Sequence, residues 1–410
     1  MVVACTQLRI STRHTEQSMK TSVAGPLSGL KILEFGQIAA GPFAGSLLAD
    51  LGADVVKIEK PDGGDDMRNW PPITDDGHGR GYSENFASVN RNKRSIAIDL
   101  KDAAQVGRLK TLCAKADAII ENFRPGVLDR LGLGYKDLSV ASPRLVYCSI
   151  NGYGHSGPYA SKGAFDATVQ GMSGVMSVTG EPDGPPVKCG VPLGDFGAGL
   201  YGAFCITACV LRARTTGSGA FIDCSMLAGL LGIAALQTSE YFGTGQAPRR
   251  LGSAHPRSAP YQGYQASDAP FMIAAGNDKL WYDVCEAVAL PELKTDTRFA
   301  TNTLRAKNQK ALESILQPVF VTRTKLEWLA EFDRRGVPCA PINTYPEILN
   351  DPHVQFNRLV RDMMLPNGRK TKTVAFPMKI SDYEFSVYRN PPQLGEHNDE
   401  VFTEWLDDQR

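Results

Sequence analysis

The sequence predicts an α/β protein organised around a doubly wound parallel sheet. From residue 27 onward, apolar segments of strand length alternate with segments of helical length. The first two strand-like segments, residues 31–35 and 54–59, flank a helical segment of crossover size, which favours parallel strands and a right-handed connection. The loop after the first strand lacks the GxGxxG pattern, and no GxxxxGK[ST] occurs. Neither a nicotinamide dinucleotide site nor a nucleoside triphosphate site is therefore expected.

Five strands are expected in this sheet. They are residues 31–35, 54–59, 95–100, 117–121 and 145–150, with helices at 43–51 and 103–115. Ligands of such folds bind in the loops outside the carboxyl ends of the strands. The cations in these loops together favour a polyanionic ligand with a flat aromatic part, although each one alone is better explained as a solvated surface charge. These cations are Lys60, Lys93, Arg94, Lys101, Arg124 and Arg130.

The composition is that of a globular protein. Of 410 residues, 42% are hydrophobic and 21% are charged, and Lys+Arg equals Asp+Glu at 44 each. A formal charge of zero argues against nucleic-acid or membrane-surface partners recognised through bulk charge. No uninterrupted apolar run reaches the roughly 18 residues of a membrane span. The nine Cys include no CxxC spacing and the six His no HxxxH spacing, so we expect free thiols in a reducing compartment and no metal site.

Residues 1–24 are expected to be a flexible leader, and the protein is expected to be cytoplasmic. The segment carries Arg9, Arg13 and Lys20 against a single acid, Glu16, with several Ser and Thr. This composition leaves two alternatives open. One is a transit peptide, which would place the protein in the mitochondrial matrix, and the other is an upstream start with Met19 as the true first residue.

The stretch from residue 190 to 214 carries the best candidate for a reactive carboxylate. We expect a tightly packed helix over residues 196–214 with Asp195 at or near its N-cap, where free N–H groups and the helix dipole favour an acid. A cap alone would explain Asp195. The small residues that follow, among them Gly197, Gly199 and Gly202, additionally permit close approach of another backbone or a ligand. Asp166 is interpreted as the cap of a helix over residues 167–172.

Six segments, in order along the chain, carry a family resemblance. They are residues 25–68, NRNKRSIAIDLK (90–101), ENFRPGVLDRLGLGY (121–135), INGYGHSGPYA (150–160), residues 165–199, and HPRSAPYQGYQASD (255–268). Together they resemble the class III coenzyme A-transferases. That family includes formyl-CoA, carnitine and succinyl-CoA:glutarate CoA-transferases, and the α-methylacyl-CoA racemases are related to it.

The resemblance implies a Rossmann-like large domain built from both ends of the chain, with a smaller α+β domain inserted. The large domain would comprise residues 25–225 and 342–410. A connecting helix would span residues 226–242, and the small domain residues 243–341, with a strand at 271–275. Two chains would form an interlocked homodimer.

The resemblance also implies which residues act. Asp195 aligns with the catalytic aspartate, and no permanently bound cofactor is expected because coenzyme A and its acyl thioesters are the substrates. Metal ligands are not expected. The residues that would bind coenzyme A are Ile38, Ala39, Ala40, Lys60, Ile98, Lys101, Asn122, Phe123 and Arg130.

The implied activity is transfer of coenzyme A from a succinyl-CoA-like donor to a small dicarboxylic acid, through an anhydride and a thioester on Asp195. The first alternative is a 2-methylacyl-CoA racemase. Phe165 argues against it, since racemases carry a proton-transferring His at that position. The second alternative is a non-catalytic acyl-CoA-binding protein. Arg249, Arg250 and Arg257 are candidates for the distal acceptor carboxylate or solvated charges, and His255 is a substrate contact or a loop hydrogen-bonding residue.

Overall fold

The structure, a computed structural model, describes residues 24–407. The predicted leader, residues 1–24, therefore lies outside the described residues apart from Ala24. The strands are β1 Lys31–Glu34, β2 Asp54–Glu59, β3 Ile73–Asp75, β4 Gly81–Ser83, β5 Arg94–Ala97, β6 Ala118–Glu121, β7 Val146–Asn151, β8 Ala220–Ser225, β9 Tyr261–Gln265, β10 Pro270–Ala274, β11 Cys339–Pro341, β12 Val360–Met364 and β13 Lys370–Val374. The helices are α1 Ala40–Asp50, α2 Glu84–Asn90, α3 Ala103–Cys113, α4 Tyr135–Ala141, α5 Asp166–Met172, α6 Leu193–Thr216, α7 Met226–Ile233, α8 Ala235–Thr244, α9 Asp278–Ala287, α10 Asn302–Lys307, α11 Gln309–Phe320, α12 Lys325–Arg335, α13 Tyr345–Leu349, α14 Pro352–Phe356 and α15 Asn398–Asp407.

A six-stranded sheet in the order β5-β2-β1-β6-β7-β8 forms the centre of the fold. All five pairings between neighbouring strands are parallel, as the sequence predicts. Along the chain, β2 and then β5 are added on one side of β1, and β6, β7 and β8 are then added on its other side. The strand order therefore reverses between β1 and β6. In open α/β sheets this reversal opens a crevice at the carboxyl ends of the strands, where ligands bind.

The sheet differs from the sequence prediction at its two edges. The strand expected at 95–100 ends at Ala97, because its partner β2 ends at Glu59 and the ladder has no further register to follow. The Asp99 side chain then accepts a hydrogen bond from the Lys101 N–H at 2.9 Å and turns the chain. The sixth strand, β8, was not predicted. Its first four residues alternate between half-buried and exposed at the sheet edge, so it lacks the continuous apolar run of a central parallel strand.

Helix α6 is long and apolar enough, by length and composition, to cross a membrane, and it is the one helix of residues 24–407 with that property. Core helices of globular proteins share it. Here one face of α6 packs against α1 and β7, and its buried positions follow helical spacing. Those positions are Gly194, Ala198, Gly199, Gly202, Ala203, Ile206, Val210 and Ala213.

The connecting segment after β8 is two helices rather than the single one expected over 226–242. Ala234, with φ −84° and ψ 25°, separates α7 from α8. Gly229 and Gly232 precede the break and weaken the last turns of α7.

Two further parts of the chain follow the connecting segment. A three-stranded antiparallel sheet, β11-β10-β9, packs with α9, α11 and α12 around its own hydrophobic core. Close to the C-terminus, α15 packs on α3 and β5 of the large sheet, and the Trp405 indole N–H donates to Asp54 at 2.8 Å. The domain boundaries stay predictions.

Candidate active site

A cavity of about 270 Å³ lies at the switch point of the large sheet. The loops after β1, β6 and β7 form its walls, and the start of α6 closes one side. Its lining residues include Gln37, Ile38, Ala39, Ala40, Asn122, Phe123, Arg124, Tyr153, Lys162, Phe165, Asp166 and Asp195. The topology therefore brings residues that are far apart in sequence to the crevice where this fold class binds ligands.

Asp195 is the third residue of α6 and is not its N-cap. The expected helix start at residue 196 is wrong by one turn, because Pro192 is the cap and makes no side-chain capping bond. The hydrogen-bond acceptor for the first N–H groups of α6 comes from another helix. Asp166 Oδ1 accepts from the Gly194 N–H at 2.7 Å and from the Asp195 N–H at 3.4 Å.

Asp166 therefore caps α6 rather than its own helix, which corrects its predicted role. Its own helix, α5, begins at Asp166 and has Phe165 as the N-cap residue. The second Asp166 oxygen, Oδ2, accepts from the Gln170 side-chain amide at 2.7 Å. With both Asp166 oxygens engaged, the Asp195 carboxylate is the acid in this cavity that stays available for a ligand.

The surroundings of Asp195 make its charged form less favourable. Burial, and then the negative charge of Asp166, raises the pKa of Asp195 to about 6. The side chain is still mostly ionised at neutral pH. A carboxylate that is poorly solvated yet charged is a better nucleophile than a hydrated one, and perturbed acids in clefts are typical of active sites.

Six predicted site residues meet in this cavity, and four do not. Those that line it are Ile38, Ala39, Ala40, Asn122, Phe123 and Asp195. Of the other four, Lys60 is exposed and pairs with Asp66 at 2.7 Å. Ile98 is buried in the core on the far side of the sheet, while Lys101 and Arg130 are exposed.

The predicted convergence of cations holds only in part. Lys93 is fully buried and pairs with Glu34 at 2.7 Å. Arg94 is almost fully buried and pairs with Asp54 and with two acids of α15. Lys93 and Arg94 are therefore structural charges. A buried cation must stay paired with its carboxylate partners and is not available to bind a ligand. Arg124 lines the cavity as expected, and Lys162, which the sequence did not single out, joins it.

The residues that the sequence suggested as contacts of the acceptor acid do not line the cavity. Arg250 donates to the Gly184 carbonyl at 2.9 Å and so fixes a turn, and Arg257 pairs with Glu240 at 3.2 Å. Arg249 is exposed. His255 stacks on Tyr261 with ring centroids 4.8 Å apart, and burial, together with Arg257, lowers its pKa.

Two residues that sequence reasoning missed shape the site. Gln37 precedes Ile38, and its peptide is bracketed by the Asn122 amide. Asn122 Oδ1 accepts from the Gln37 N–H, and Nδ2 donates to the Gln37 carbonyl, both at 2.8 Å. Asp65 accepts from the Ile38 N–H. Asp65 is one of three acids within residues 62–66, and the local sequence does not indicate which of the three turns inward. Within residues 24–407 no group of three His, Cys, Asp or Glu side chains could hold a metal ion.

The family model of CoA-transferase family III matches residues 27–398 of the chain. The succinyl-CoA:glutarate CoA-transferase of Mus musculus is 38% identical over 382 residues, which is 93% of this chain and 86% of the mouse protein. The acetyl-CoA:oxalate CoA-transferase of Acetobacter aceti is 40% identical over 362 residues, which is 88% of this chain and 90% of the bacterial protein. These two names give the substrates of the relatives and not those of this chain.

A solved structure supports the same relationship. The crystal structure of a CAIB/BAIF family protein from Brucella suis superposes with a TM-score of 0.84 at 39% identity, covering 93% of this chain and all of the other. Fold and sequence thus agree along nearly the whole chain, which leaves the non-catalytic alternative without support. The chain belongs to CoA-transferase family III and is an enzyme of the EC 2.8.3 type.

Proposed function

We propose that the enzyme moves coenzyme A from a succinyl-CoA-like donor to a small dicarboxylic acid through covalent intermediates on Asp195. The observation that carries this proposal is the position of Asp195. It is a half-buried carboxylate with a raised pKa, in the first turn of α6, and it faces the same cavity as the loop after β1.

The chemistry requires one nucleophile that is used repeatedly. An oxygen of Asp195 attacks the thioester carbonyl, the C–S bond breaks, and an aspartyl anhydride and coenzyme A thiolate form. The thiolate attacks the aspartyl carbonyl, which releases the donor acid and leaves an aspartyl-CoA thioester. The acceptor carboxylate attacks that thioester to form a second anhydride and the thiolate. The thiolate then takes the acceptor acyl group and frees Asp195.

The position of Asp195 supports each of these steps. The N–H groups of a first helical turn have no intrahelical partners and favour negative charge, so the start of α1 can stabilise developing oxyanions. In α6 the Gly194 and Asp195 N–H groups already donate to Asp166. Gly199 allows α6 to pack against the first turn of α1. A Cβ at that position would lie 3.0 Å from the Ala40 carbonyl oxygen. Such close packing excludes water, which would otherwise hydrolyse an anhydride.

The choice of a dicarboxylate rests on two supports. Several relatives are named for dicarboxylates, among them glutarate, oxalate and mesaconate. In the cavity itself, Arg124 and Lys162 are the cations among the described lining residues. Lys162 lies over the rings of Tyr153 and Tyr159, at 5.7 and 5.3 Å from their centroids. A cation near Asp195 that is not committed to a buried ion pair suits a distal carboxylate.

We further propose a homodimer. Helix α6 turns Leu200, Phe204 and Leu211 to solvent at helical spacing, and α8 exposes Leu236 and Phe242. Exposed apolar side chains in this number are typical of a protein interface. A second copy of the chain would cover them, as the family resemblance implies.

A substrate panel tests the proposed activity. Succinyl-CoA is the donor, and oxalate, glutarate, mesaconate, acetate and carnitine are the acceptors, with acyl-CoA products separated by chromatography. Transfer to one or more dicarboxylates and little to acetate or carnitine is the expected result. A 2-methylacyl-CoA incubated in deuterated water without an acceptor should keep its C2 proton. Rapid deuterium uptake there would favour the racemase, and a preference for monocarboxylates would remove the dicarboxylate assignment.

A further inference from the structure

The loop between β1 and α1 contains an unusual backbone conformation beside Asp195. Ile38 has φ of 62°, in the left-handed region, and it is one of the residues that line the cavity. A β-branched residue adopts this region only at an energetic cost, since Cβ crowds the following carbonyl. Such a conformation persists only where surrounding contacts enforce it, and it occurs preferentially at functional sites.

Asp65 supplies the enforcing contact. Asp65 is 1% exposed, and both of its side-chain oxygens accept from the Ile38 N–H, at 3.1 Å for Oδ1 and 3.0 Å for Oδ2. Within residues 24–407, the Ile38 N–H makes no other hydrogen bond. The carboxylate therefore holds the peptide on the N-terminal side of Ile38.

A buried ion cluster fixes Asp65 in turn. Lys57 Nζ lies 2.9 Å from Asp65 Oδ2 and 3.2 Å from Glu34 Oε1, and it donates to the Gly36 carbonyl at 2.6 Å. Lys93 pairs with the other Glu34 oxygen at 2.7 Å. Two carboxylates thus face two ammonium groups, all of them buried. Although burial opposes ionisation, the Lys57 charge and the main-chain donors lower the pKa of Asp65, so it is a carboxylate at neutral pH.

Three consecutive residues of the loop before α1 are consequently each held by a different side chain. Lys57 binds the Gly36 carbonyl, Asn122 brackets the Gln37 peptide, and Asp65 holds the Ile38 N–H. Of the three, Ile38 is the residue with a positive φ. Of these three hydrogen-bonding side chains, Asp65 is the one that contacts the strained residue.

We propose that Asp65 is a positioning residue of the transfer site, which holds Ile38 in the left-handed conformation and thereby sets residues 38–40 opposite Asp195. The proposal rests on the proposed role of this cavity in coenzyme A transfer. Asp65 does not line the cavity and acts through Ile38. Its loss should therefore lower kcat more than it changes KM for the acyl-CoA.

Asp65 also has a local structural role that a test must separate from this one. Its Oδ1 accepts from the Met67 N–H at 3.0 Å and caps the short 3-10 turn Asp66–Asn69. Removing its charge leaves the cluster with one excess buried cation. Both effects lower stability whichever residue occupies position 38. The positioning effect, in contrast, depends on how readily residue 38 adopts a positive φ.

The experiment is a mutant cycle in three backgrounds, with succinyl-CoA and the best dicarboxylate acceptor. Asp65→Asn is introduced into the wild type, into Ile38→Gly, where a positive φ costs little, and into Ile38→Val, where it costs as much as for Ile. Asp65→Asn should lower kcat roughly 5- to 100-fold with Ile or Val at position 38, and by no more than about two-fold with Gly. The melting temperature should fall equally in all three. The same loss of kcat in all three backgrounds would overturn the proposal.

A measurement on the wild type decides the question where a variant does not fold or lacks activity. The Ile38 amide should exchange with deuterium far more slowly than an exposed loop amide, as followed by residue-resolved exchange. Exchange at the exposed rate would overturn the proposal. Asp195→Asn is assayed in parallel. If that variant keeps its transfer rate, the assignment of Asp195 as nucleophile is wrong, independently of the result for Asp65. That variant reports on Asp195 alone, and the cycle reports on Asp65 and Ile38.

Discussion

At the scale of single residues, two carboxylates meet at the start of α6 and have different tasks. Asp166 is engaged by the Gly194 N–H and the Gln170 amide, while none of the described residues donates a hydrogen bond to the Asp195 carboxylate. Burial contributes most to the raised pKa of Asp195, and the negative charge of Asp166 raises that pKa further. Hydrogen bonding thus gives Asp166 a structural role and leaves Asp195 available to react.

The pH dependence of the reaction should report the Asp195 pKa. Because the nucleophile must be ionised, kcat/KM should fall as pH drops through about 6, the pKa of Asp195. Asp166→Asn keeps an oxygen for the Gly194 N–H but removes the charge that raises this pKa, so the acid limb should move to lower pH. A pH profile of both forms from 4.5 to 8 checks this. An unchanged limb in Asp166→Asn would contradict the coupling of the two acids.

At the scale of elements, the contact between α1 and α6 sets the width of the site. Gly199 allows the two helices to approach, since a Cβ there would lie 2.9 Å from Phe43 Cδ1 and 3.0 Å from the Ala40 carbonyl oxygen. Ala40 is both the first residue of α1 and a cavity-lining residue. A methyl group at position 199 would therefore displace the loop that faces Asp195.

Gly199→Ala should destabilise the protein by about 1–3 kcal/mol through overpacking and should also lower kcat. Gly197→Ala is the matched control. It lies in the same helix, and an added Cβ there meets no atom within 4 Å. Because alanine favours helix over glycine by up to about 1 kcal/mol, that control should be neutral or more stable. Thermal unfolding and transfer rates of both variants measure the effect. Equal behaviour of the two would contradict the role of the close contact.

At the scale of the whole molecule, the sequence predicts the sheet better than the site. Strand β2 has the predicted bounds because its β-branched residues Val55, Val56 and Ile58 lie between a turn at Gly52 and a loop that starts at Lys60-Pro61. Strand β8 alternates like an edge strand and was missed. The inward turn of Asp65 and the capping of α6 by Asp166 could not be predicted, because both depend on contacts between segments more than 25 residues apart. Asp195 itself was found through its motif and its small neighbours.

The proposed homodimer yields a test at the same scale. Phe204 on α6 is 71% exposed and Val140 on α4 is 83% exposed. Phe204→Asp should shift the protein toward monomer, because a charge would enter the proposed interface, whereas Val140→Asp should leave the mass unchanged. Sedimentation velocity at several concentrations distinguishes the two. A wild type that stays monomeric throughout would contradict the proposal.

The central claim is that Asp195 carries the covalent intermediate, and trapping tests it most directly. The enzyme is incubated with succinyl-CoA, quenched with hydroxylamine or borohydride, and digested for peptide mass mapping. The modification should lie on Asp195 alone. Asp195→Asn should fold with a melting temperature no lower than wild type above pH 6, since it removes a poorly solvated charge, and should lose nearly all transfer. A label on another residue, or an Asp195→Asn variant that keeps most of its transfer rate, would contradict the account.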